Sequence, residues 1–443
     1  DWPLYRNDRW RSGSTPFAGP ESLNEKWSTS VASELEVSSL DKAPAGAILH
    51  DWKENPFIKG PVSAPVIANS RVFVSRPDAH QVVALSADTG EEIWRFTSEG
   101  RVDTPPSIHK GLAIFGNNAG YVHALRADTG ELVWKMQAAP IDERIVAYGQ
   151  VESAYPVPGS VLIMDDLAYF SAGRQPFADG GVLVFAIDPM TGERKWVNRV
   201  DTVPQKGYYE NSGLEFDPVD IMHVEGDRLA MSRWLLKMDG SGFDVDKWNA
   251  FAHLDTGKGA VYVPRGSWTY GPRHQHRFRG EAPRRPLAVW RDGNVVSSLN
   301  GSTELFLRDF ELENGEEFSA KWITGWEAAQ KGNKGEKPFR TYRIAEKAKW
   351  KADPFIAEED KDKEFVPGTQ VYNDVYALAL TGTGDDQKIY AIHKDGRLKV
   401  VAATDGSVLQ EKTVPAPAWD GLAVANGKLF LSTLDGRVLC LAD

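Results

Sequence analysis

A motif of the form Thr-Gly-x-x-x-Trp recurs along the chain and constrains its fold more than any other feature. It occurs at residues 89–94, returns forty residues later at 129–134, and appears again at 191–196, each time after an alternating apolar stretch. The glycine supplies a positive φ in a tight turn between two strands. The tryptophan is expected to anchor the outer strand by packing against the neighbouring repeat. Such a hairpin cannot bury both faces alone, so four-stranded sheets must stack and the series must close on itself.

The repeat therefore predicts an all-β protein, a β-propeller of seven four-stranded antiparallel blades. Weaker copies of the motif, at 307–322 around Asn314-Gly315 and at 400–409 around Asp405-Gly406, mark two of them. The predicted blades lie at 61–97, 101–137, 150–200, 214–264, 267–325, 371–414 and from 417 onward. The last blade lacks an outer strand, which residues 23–31 with Trp27 are expected to supply, so pairing of the chain ends closes the ring and leaves no open edge. Eight blades stay an alternative because residues 201–290 are irregular.

The repeats run through most of the 443 residues, so one domain is expected over 1–443. The net charge of −11 disfavours nucleic acid and anionic membrane surfaces as partners. No apolar run reaches the roughly 18–20 residues that span a bilayer, so no membrane insertion is expected. A monomer is expected. A chain that begins at Asp1 without methionine indicates processing or truncation, with any signal peptide outside this sequence.

Cysteine content limits the chemistry further. The only cysteine, Cys440, excludes an intramolecular disulfide, a cysteine-rich zinc site and a C-x-x-C-H haem attachment. The sequence also lacks the G-x-S-x-G, G-x-x-x-x-G-K-[ST], G-x-G-x-x-G and H-E-x-x-H motifs. Common hydrolase, nucleotide-binding and metalloprotease chemistries are therefore not expected.

The repeats resemble the PQQ-like β-propeller family. Residues 1–6, 144–153 and 429–440 are also similar to the large PQQ-like propeller proteins of planctomycete-type bacteria. The resemblance implies a periplasmic or secreted location. Quinoprotein dehydrogenases of this family hold PQQ under a disulfide of adjacent cysteines, with calcium and a catalytic Asp, so a chain with one cysteine is not expected to bind PQQ. BamB-type relatives imply a protein-binding scaffold without chemistry, although they have eight blades and a lipidated N-terminal cysteine.

A basic, aromatic segment is the strongest sequence candidate for a ligand site. The segment from Arg265 to Asp292 contains seven arginines and two histidines but only two acidic residues. Such a composition suits an anionic glycan, through bidentate arginine contacts and ring stacking, with a solvated loop as the alternative. The predicted ligand-binding residues here are Trp268, Tyr270, Arg273, His274, His276 and Arg277.

His274 and His276 are two residues apart, so on a strand both rings face one side and are candidates for a divalent metal. No third ligand is identifiable, and no metal site is assigned. A second group joins Tyr208 and Tyr209 to Glu152 and Arg174 of the third blade.

If these two groups meet at the channel mouth, a lyase acting on a uronate glycan becomes the alternative function. Arg273 would neutralise the carboxylate while Tyr209 or His274 removes the α-proton. The leading expectation is a binding scaffold for an anionic glycan or a protein segment. Whether the chain is an enzyme stays open at this stage.

Residues 325–368 form a charged insertion between the predicted blades five and six. Their Ala, Glu and Lys content predicts a short helix at 342–350, stopped by Pro354. A lid or docking loop and a solvated excursion are the two interpretations.

Overall fold

The computed structural model describes residues 1–32, 61–147, 150–174, 180–201, 222–225, 228–231, 234–242, 262–265, 267–270, 288–298, 304–312, 342–344, 348–356 and 375–443. Regular structure in these residues is β-strand, apart from a 3-10 turn at Gly384–Asp386. No helix among them is long and apolar enough to cross a membrane.

The first half of the chain forms three complete four-stranded antiparallel sheets. Two strands, β1 (Ser14–Thr15) and β2 (Asn24–Ser30), precede them. Sheet one contains β3 (Val66–Ala68), β4 (Arg71–Arg76), β5 (Gln81–Ser86) and β6 (Glu92–Thr97). Sheet two contains β7 (Ser107–His109), β8 (Leu112–Gly116), β9 (Tyr121–Arg126) and β10 (Leu132–Gln137). A hairpin of β11 (Arg144–Ala147) and β12 (Gln150–Ser153) leads to sheet three, which contains β13 (Leu162–Met164), β14 (Leu167–Ala172), β15 (Val182–Ile187) and β16 (Arg194–Val200).

The second half continues the pattern. Sheet four contains β17 (His223–Glu225), β18 (Arg228–Met231) and β19 (Trp234–Lys237), and a hairpin of β20 (Tyr262–Arg265) and β21 (Ser267–Tyr270) follows. Sheet five contains β22 (Ala288–Arg291), β23 (Asn294–Ser298) and β24 (Leu305–Leu312), with β25 (Tyr342–Ile344) and β26 (Trp350–Ala352) both antiparallel to β24. Sheet six contains β27 (Val375–Thr381), β28 (Lys388–His393), β29 (Arg397–Ala402) and β30 (Val408–Thr413), and sheet seven contains β31 (Pro417–Ala425), β32 (Lys428–Thr433) and β33 (Arg437–Ala442).

The two ends of the chain close the ring. Strand β2 pairs antiparallel with β33, placing Trp27 opposite Cys440, and so completes sheet seven as its outer strand. This confirms the predicted closure and the all-β propeller fold. Seven sheets of three or more strands occur in the described residues, and the blade count of the whole chain stays a prediction.

The core lies between successive sheets. One apolar cluster joins sheets six, seven and one around Phe430 and Tyr390, and another joins sheets three and four around Val184 and Leu229. The second and third strands of sheets one, two, three, six and seven are largely buried on both faces, whereas outer strands such as β10 consist of exposed and half-buried residues. This pattern is what a stack of sheets around an axis requires.

In the described residues, repeat tryptophans link five pairs of neighbouring sheets. Each indole lies against a turn glycine of the following sheet, and a Cβ on that glycine would come within 2.5–2.9 Å of the ring. The glycines have positive φ, so backbone conformation and close approach both require glycine there. The pairs are Trp27 on Gly90, Trp94 on Gly130, Trp134 on Gly192, Trp196 on Gly240 and Trp350 on Gly406. Four of these indoles also donate to a carbonyl of that next sheet, at Ala87, Ala127, Pro189 and Ala403.

Sheet six has glutamine where the outer strands of sheets one, two, three, five and seven have tryptophan. Gln410 lies opposite Val400 just as Trp94 lies opposite Ala84. The following sheet has no third-to-fourth strand turn to cover, because the chain ends replace it. Gln410 instead donates from Nε2 to the carbonyl of Glu21, in the segment that leads into β2.

The helix predicted at 342–350 is wrong, because this stretch contributes strands β25 and β26 to sheet five. Trp350, which lies beyond the predicted blade at 267–325, is the tryptophan of that sheet's outer strand and docks on sheet six. Strand pairing and indole packing outweigh the helical composition there. The extent of the insertion predicted at 325–368 and the single-domain assignment stay predictions.

Candidate functional site

The first strands of neighbouring sheets contact one another and so surround the axis of the ring. Such contacts join β3 to β7, β7 to β13, β22 to β27, β27 to β31, and β31 to β3. In each antiparallel sheet the Thr-Gly turn joins the third strand to the fourth. The chain leaves the sheet at the far end of the fourth strand, opposite that turn. We call the end with the Thr-Gly turns the lower face and the end with the connections between sheets the upper face.

The N-terminal segment, residues 1–15, lies inside this circle of first strands. Its backbone bonds to the first strands of five sheets. The bonds are Trp2 N to Ile67 O (2.7 Å), Ile108 N to Pro3 O (2.8 Å), Val224 N to Arg9 O (2.9 Å), Trp290 N to Ser12 O (3.1 Å) and Leu380 N to Gly13 O (3.1 Å). Arg11 reaches the start of sheet three, donating to the carbonyls of Ser160 and Val161, and Arg6 reaches sheet seven at Asp420. The segment thus contacts all seven sheets.

Two buried arginines of this segment carry charge into the ring. Arg6 Nη1 lies 2.9 Å from both carboxylate oxygens of Asp420, and Tyr5 Oη donates to Oδ2 of the same carboxylate at 2.6 Å. Burial raises the pKa of Asp420, and the opposing Arg6 charge limits that rise. Burial also raises the pKa of Tyr5 well above its usual range. Burial lowers the pKa of Arg11 to about 10, so the guanidinium stays charged at neutral pH.

A second charged cluster lies at the upper face, between sheets two and three. Arg174 Nη2 lies 2.7 Å from Glu152 Oε2, and Arg101 Nη2 lies 3.2 Å from Glu152 Oε1. Arg101 also pairs with Asp103 at 2.6 Å, and Asn118 Nδ2 donates to both acids at 3.0 Å. We call these five residues the rim cluster. Its charges balance, since two arginines face two carboxylates.

The rim cluster unites Glu152 and Arg174, two residues that the sequence singled out, and adds three that it missed. The sequence does contain a feature that indicates Arg101. Arg101 precedes Pro105 by four residues, as Glu152 precedes Pro156, and each proline leads into an inner strand. Equivalent positions in consecutive repeats lie side by side around the axis, so opposite charges there are in reach of each other.

The β11–β12 hairpin lies at the upper face beside the rim cluster, and the side-chain amide of Gln150 hydrogen-bonds His80 and Asp78 in the β4–β5 turn of sheet one. Its strands place Val146 directly opposite Val151, and these side chains are 78% and 65% exposed. The neighbouring Glu152 points to the other side of the hairpin and is buried in the rim cluster. One face of the hairpin is therefore anchored by ion pairs, and the other presents an apolar pair to solvent.

The remaining predicted site residues are not brought together by the described part of the structure. Trp268 and Tyr270 belong to β21, where only the backbone is described. The others lie outside the described residues: Tyr208, Tyr209, Arg273, His274, His276 and Arg277. Their predicted roles, including the metal at His274 and His276, stay predictions.

A single cysteine cannot form the disulfide beneath which the resemblance places PQQ, and the absence of the cofactor stays a prediction. Cys440 is buried in β33 opposite Trp27, away from the first strands that surround the axis. Asp420, a carboxylate inside the ring, is bound by Arg6 and Tyr5. Within the described residues, no group of three or more His, Cys, Asp or Glu side chains is placed to hold a metal ion.

Comparisons with known proteins agree with the repeats and the fold. A PQQ-repeat family model, described as outer membrane protein assembly factor BamB, matches residues 20–214. Quinohemoprotein alcohol dehydrogenase from Comamonas testosteroni aligns over 100% of this chain and 80% of its own, with 14% identity and a TM-score of 0.56. Quinohemoprotein alcohol dehydrogenase ADHIIG from Pseudomonas putida HK5 aligns over the same shares, with 12% identity and a TM-score of 0.54. No curated protein sequence matches the chain.

At these identities the structural likeness shows the fold alone. The similarity to planctomycete-type proteins stays a prediction. The Thr-Gly-x-x-x-Trp repeats, the tryptophan contacts between sheets, the family match over 20–214 and the neighbouring folds all point to one assignment. The chain is a β-propeller built from PQQ-like repeats, and its residues 20–214 match the family model.

Proposed function

We propose that this propeller is an extracytoplasmic binding scaffold whose upper face docks a protein partner. The observation that carries the proposal is the exposed Val146–Val151 pair on a hairpin whose opposite face is fixed. Apolar side chains scattered singly over a surface are ordinary, but a cross-strand pair on an anchored hairpin presents a contiguous apolar surface.

The anchoring of the hairpin favours recognition. Glu152 of β12 is held by Arg101, from the connection between sheets one and two, and by Arg174, from the β14–β15 loop of sheet three. A fixed hairpin loses little conformational freedom when a partner binds, so more of the contact energy appears as affinity. Burying both valines would contribute about 3–6 kcal/mol of apolar transfer before such costs.

The family description supports a protein partner and an extracytoplasmic location, since it names an outer membrane protein assembly factor. An anionic glycan is the second candidate. Arg174 keeps 20% of its side chain exposed at the rim. The lyase variant of this candidate uses Tyr209, Arg273 and His274.

Photo-crosslinking in cells that express the protein tests the leading proposal. A photoreactive amino acid at Val151 should give one discrete protein adduct. The same group at Leu132, an equally apolar side chain on outer strand β10 that is 50% exposed, is the matched control and should give none. Equal labelling from both positions, or none from Val151, contradicts the proposal.

Affinity measurements with the purified partner then locate the surface. Val146→Asp and Val151→Asp should each raise Kd about 10-fold or more, because one buried valine is worth about 1.5–3 kcal/mol. Leu132→Asp should leave Kd unchanged. An unchanged Kd for both valine variants would exclude the hairpin.

A polysaccharide screen distinguishes binding of an anionic glycan from binding of a protein partner. Thermal shift and ultraviolet product formation are scored together for uronate, sulfated and neutral glycans. A shift that Arg174→Gln abolishes, without product, would favour glycan binding over a protein partner. An unsaturated product would make the chain a lyase.

A further inference from the structure

We infer that the space inside the circle of first strands is a peptide-binding site whose natural occupant is the chain's own N-terminal segment, residues 1–15. Its contacts hold it as a ligand is held, independently of the covalent link to β2. The inference does not depend on the proposed function of the upper face.

The contacts are those of a recognised peptide, which pairs by its backbone at Trp2 and at Ser14–Thr15 and folds into turns over residues 5–10. Backbone bonds run from the segment to the first strands of five sheets, as described above, and β1 adds a parallel pairing of Ser14 with Leu380 and Thr15 with Thr381. Backbone pairing of this kind supplies affinity, while side chains in fixed environments supply sequence selectivity.

Three side chains of the peptide give its binding sequence selectivity. Trp2 is buried in the apolar cluster that joins sheets six, seven and one. Arg6 forms its ion pair with Asp420, and its Nε donates to Arg11 O within the segment. Arg11 donates to the carbonyls of Tyr5, Ser160, Val161 and Met222, so one guanidinium joins the peptide to sheet three and to the start of sheet four.

Arg9 provides an internal comparison. Its side chain is 38% exposed, lies over Trp10, and meets Asp165 only at 3.4 Å on the surface. A peptide that lost Arg9 would lose one weak surface pair, whereas a peptide that lost Arg11 would leave several buried carbonyls without a donor.

The link between the segment and the rest of the chain is accessible. Pro16, Phe17 and Ala18 are exposed, and the chain is buried again at Gly19. A protease site inserted between Phe17 and Ala18 can therefore be cut in the folded, full-length protein.

The test begins with that cut. The freed peptide of residues 1–17 should co-elute with residues 18–443 in gel filtration, and it should exchange with a fluorescent synthetic peptide of the same sequence. The Tm of the cut protein should rise with added peptide, because a ligand that binds only the native state stabilises it by mass action. The same variant left uncut should show no such rise.

Two altered peptides test selectivity. The peptide with Arg11→Ala should bind about 100-fold more weakly, since several hydrogen bonds from one charged group are lost. The peptide with Arg9→Ala should bind within about threefold of the native peptide.

The inference is overturned if the cut peptide departs while the remainder keeps the Tm of the uncut protein. It is also overturned if Tm is independent of peptide concentration, or if the Arg9→Ala and Arg11→Ala peptides compete equally. Unfolding of the cut protein that native peptide prevents and the Arg11→Ala peptide does not prevent supports it.

Discussion

Replacing His123 with phenylalanine should make the protein more resistant to mild acid. The His123 side chain is 1% exposed, and its ring stacks on Phe115 with centroids 5.2 Å apart and planes within 6°. Phe96 meets the same ring edge-on at 5.7 Å. Burial lowers the pKa of His123 to about 4, even though Glu99 Oε2 lies 3.1 Å from Nε2 and favours the charged form.

The magnitude follows from linkage. The unfolded chain protonates this histidine near its usual pKa of 6.5, while the folded protein does so only near 4. The contribution of neutral His123 to the free energy of unfolding is therefore fully present above pH 6.5, and it falls as the pH drops toward 4. At pH 5 the loss is about 2 kcal/mol, and below pH 4 it reaches about 3 kcal/mol. A phenylalanine cannot protonate, and the aromatic neighbours accept its shape.

Urea unfolding at pH 7 and pH 5 provides the assay. The His123→Phe variant should match the native protein within about 1 kcal/mol at pH 7 and exceed it by about 2 kcal/mol at pH 5. His123→Gln should also lose this pH dependence, although with weaker packing at both pH values. If His123→Phe keeps the same difference between pH 7 and pH 5 as the native protein, the buried neutral histidine is not its source.

Further predictions concern the ring itself, and urea unfolding at pH 7 measures each. Asp420→Ala should lower the free energy of unfolding by about 3–5 kcal/mol, because it leaves the Arg6 charge buried without its carboxylate. Glu411→Ala, which breaks a solvent-exposed pair, should cost less than about 0.5 kcal/mol, and equal losses would argue against the buried pair. Gly130→Ala should cost about 2–4 kcal/mol, because φ is +75° and the new Cβ would lie 2.7 Å from the Trp94 ring. Gly111→Ala, at φ +81° with open space around it, should cost only about 1 kcal/mol, so a similar loss at both glycines would discount the indole contact.

The sequence predicted the parts of the fold that repeat. Each Thr-Gly-x-x-x-Trp copy defines a turn, an outer strand and an indole contact, all of which are local or involve only the next sheet. Ring closure was predictable for the same reason, since β33 needed an outer strand and residues 23–31 had the right pattern. Sheet five was misassigned because its outer strand follows a long excursion, and the local Ala, Glu and Lys content around Trp350 favours a helix.

The charged groups inside the ring were harder to predict because they depend on contacts between distant residues. Arg6 and Asp420 are separated by 414 positions, and Arg11 binds carbonyl groups that carry no side-chain signature. Glu152 and Arg174 were identified by composition within one predicted blade. Their partner Arg101 comes from the preceding connection, where only the alignment of equivalent repeat positions indicates the contact.

The seam between sheets six and seven shows why the N-terminal segment is needed inside the ring. Gln410 occupies the tryptophan position there, so the indole contact that joins other neighbouring sheets is missing. The N-terminal residues compensate: β1 pairs with β27 of sheet six, and β2 pairs with β33 of sheet seven. Between them, the carbonyl of Pro20 accepts a hydrogen bond from the buried hydroxyl of Tyr390 at 3.1 Å, and burial raises the pKa of Tyr390 to about 12. A closed ring requires contact between every pair of neighbouring sheets. Between sheets six and seven, where the chain ends interrupt the repeat, backbone pairing of the first thirty residues with both sheets replaces the missing indole contact.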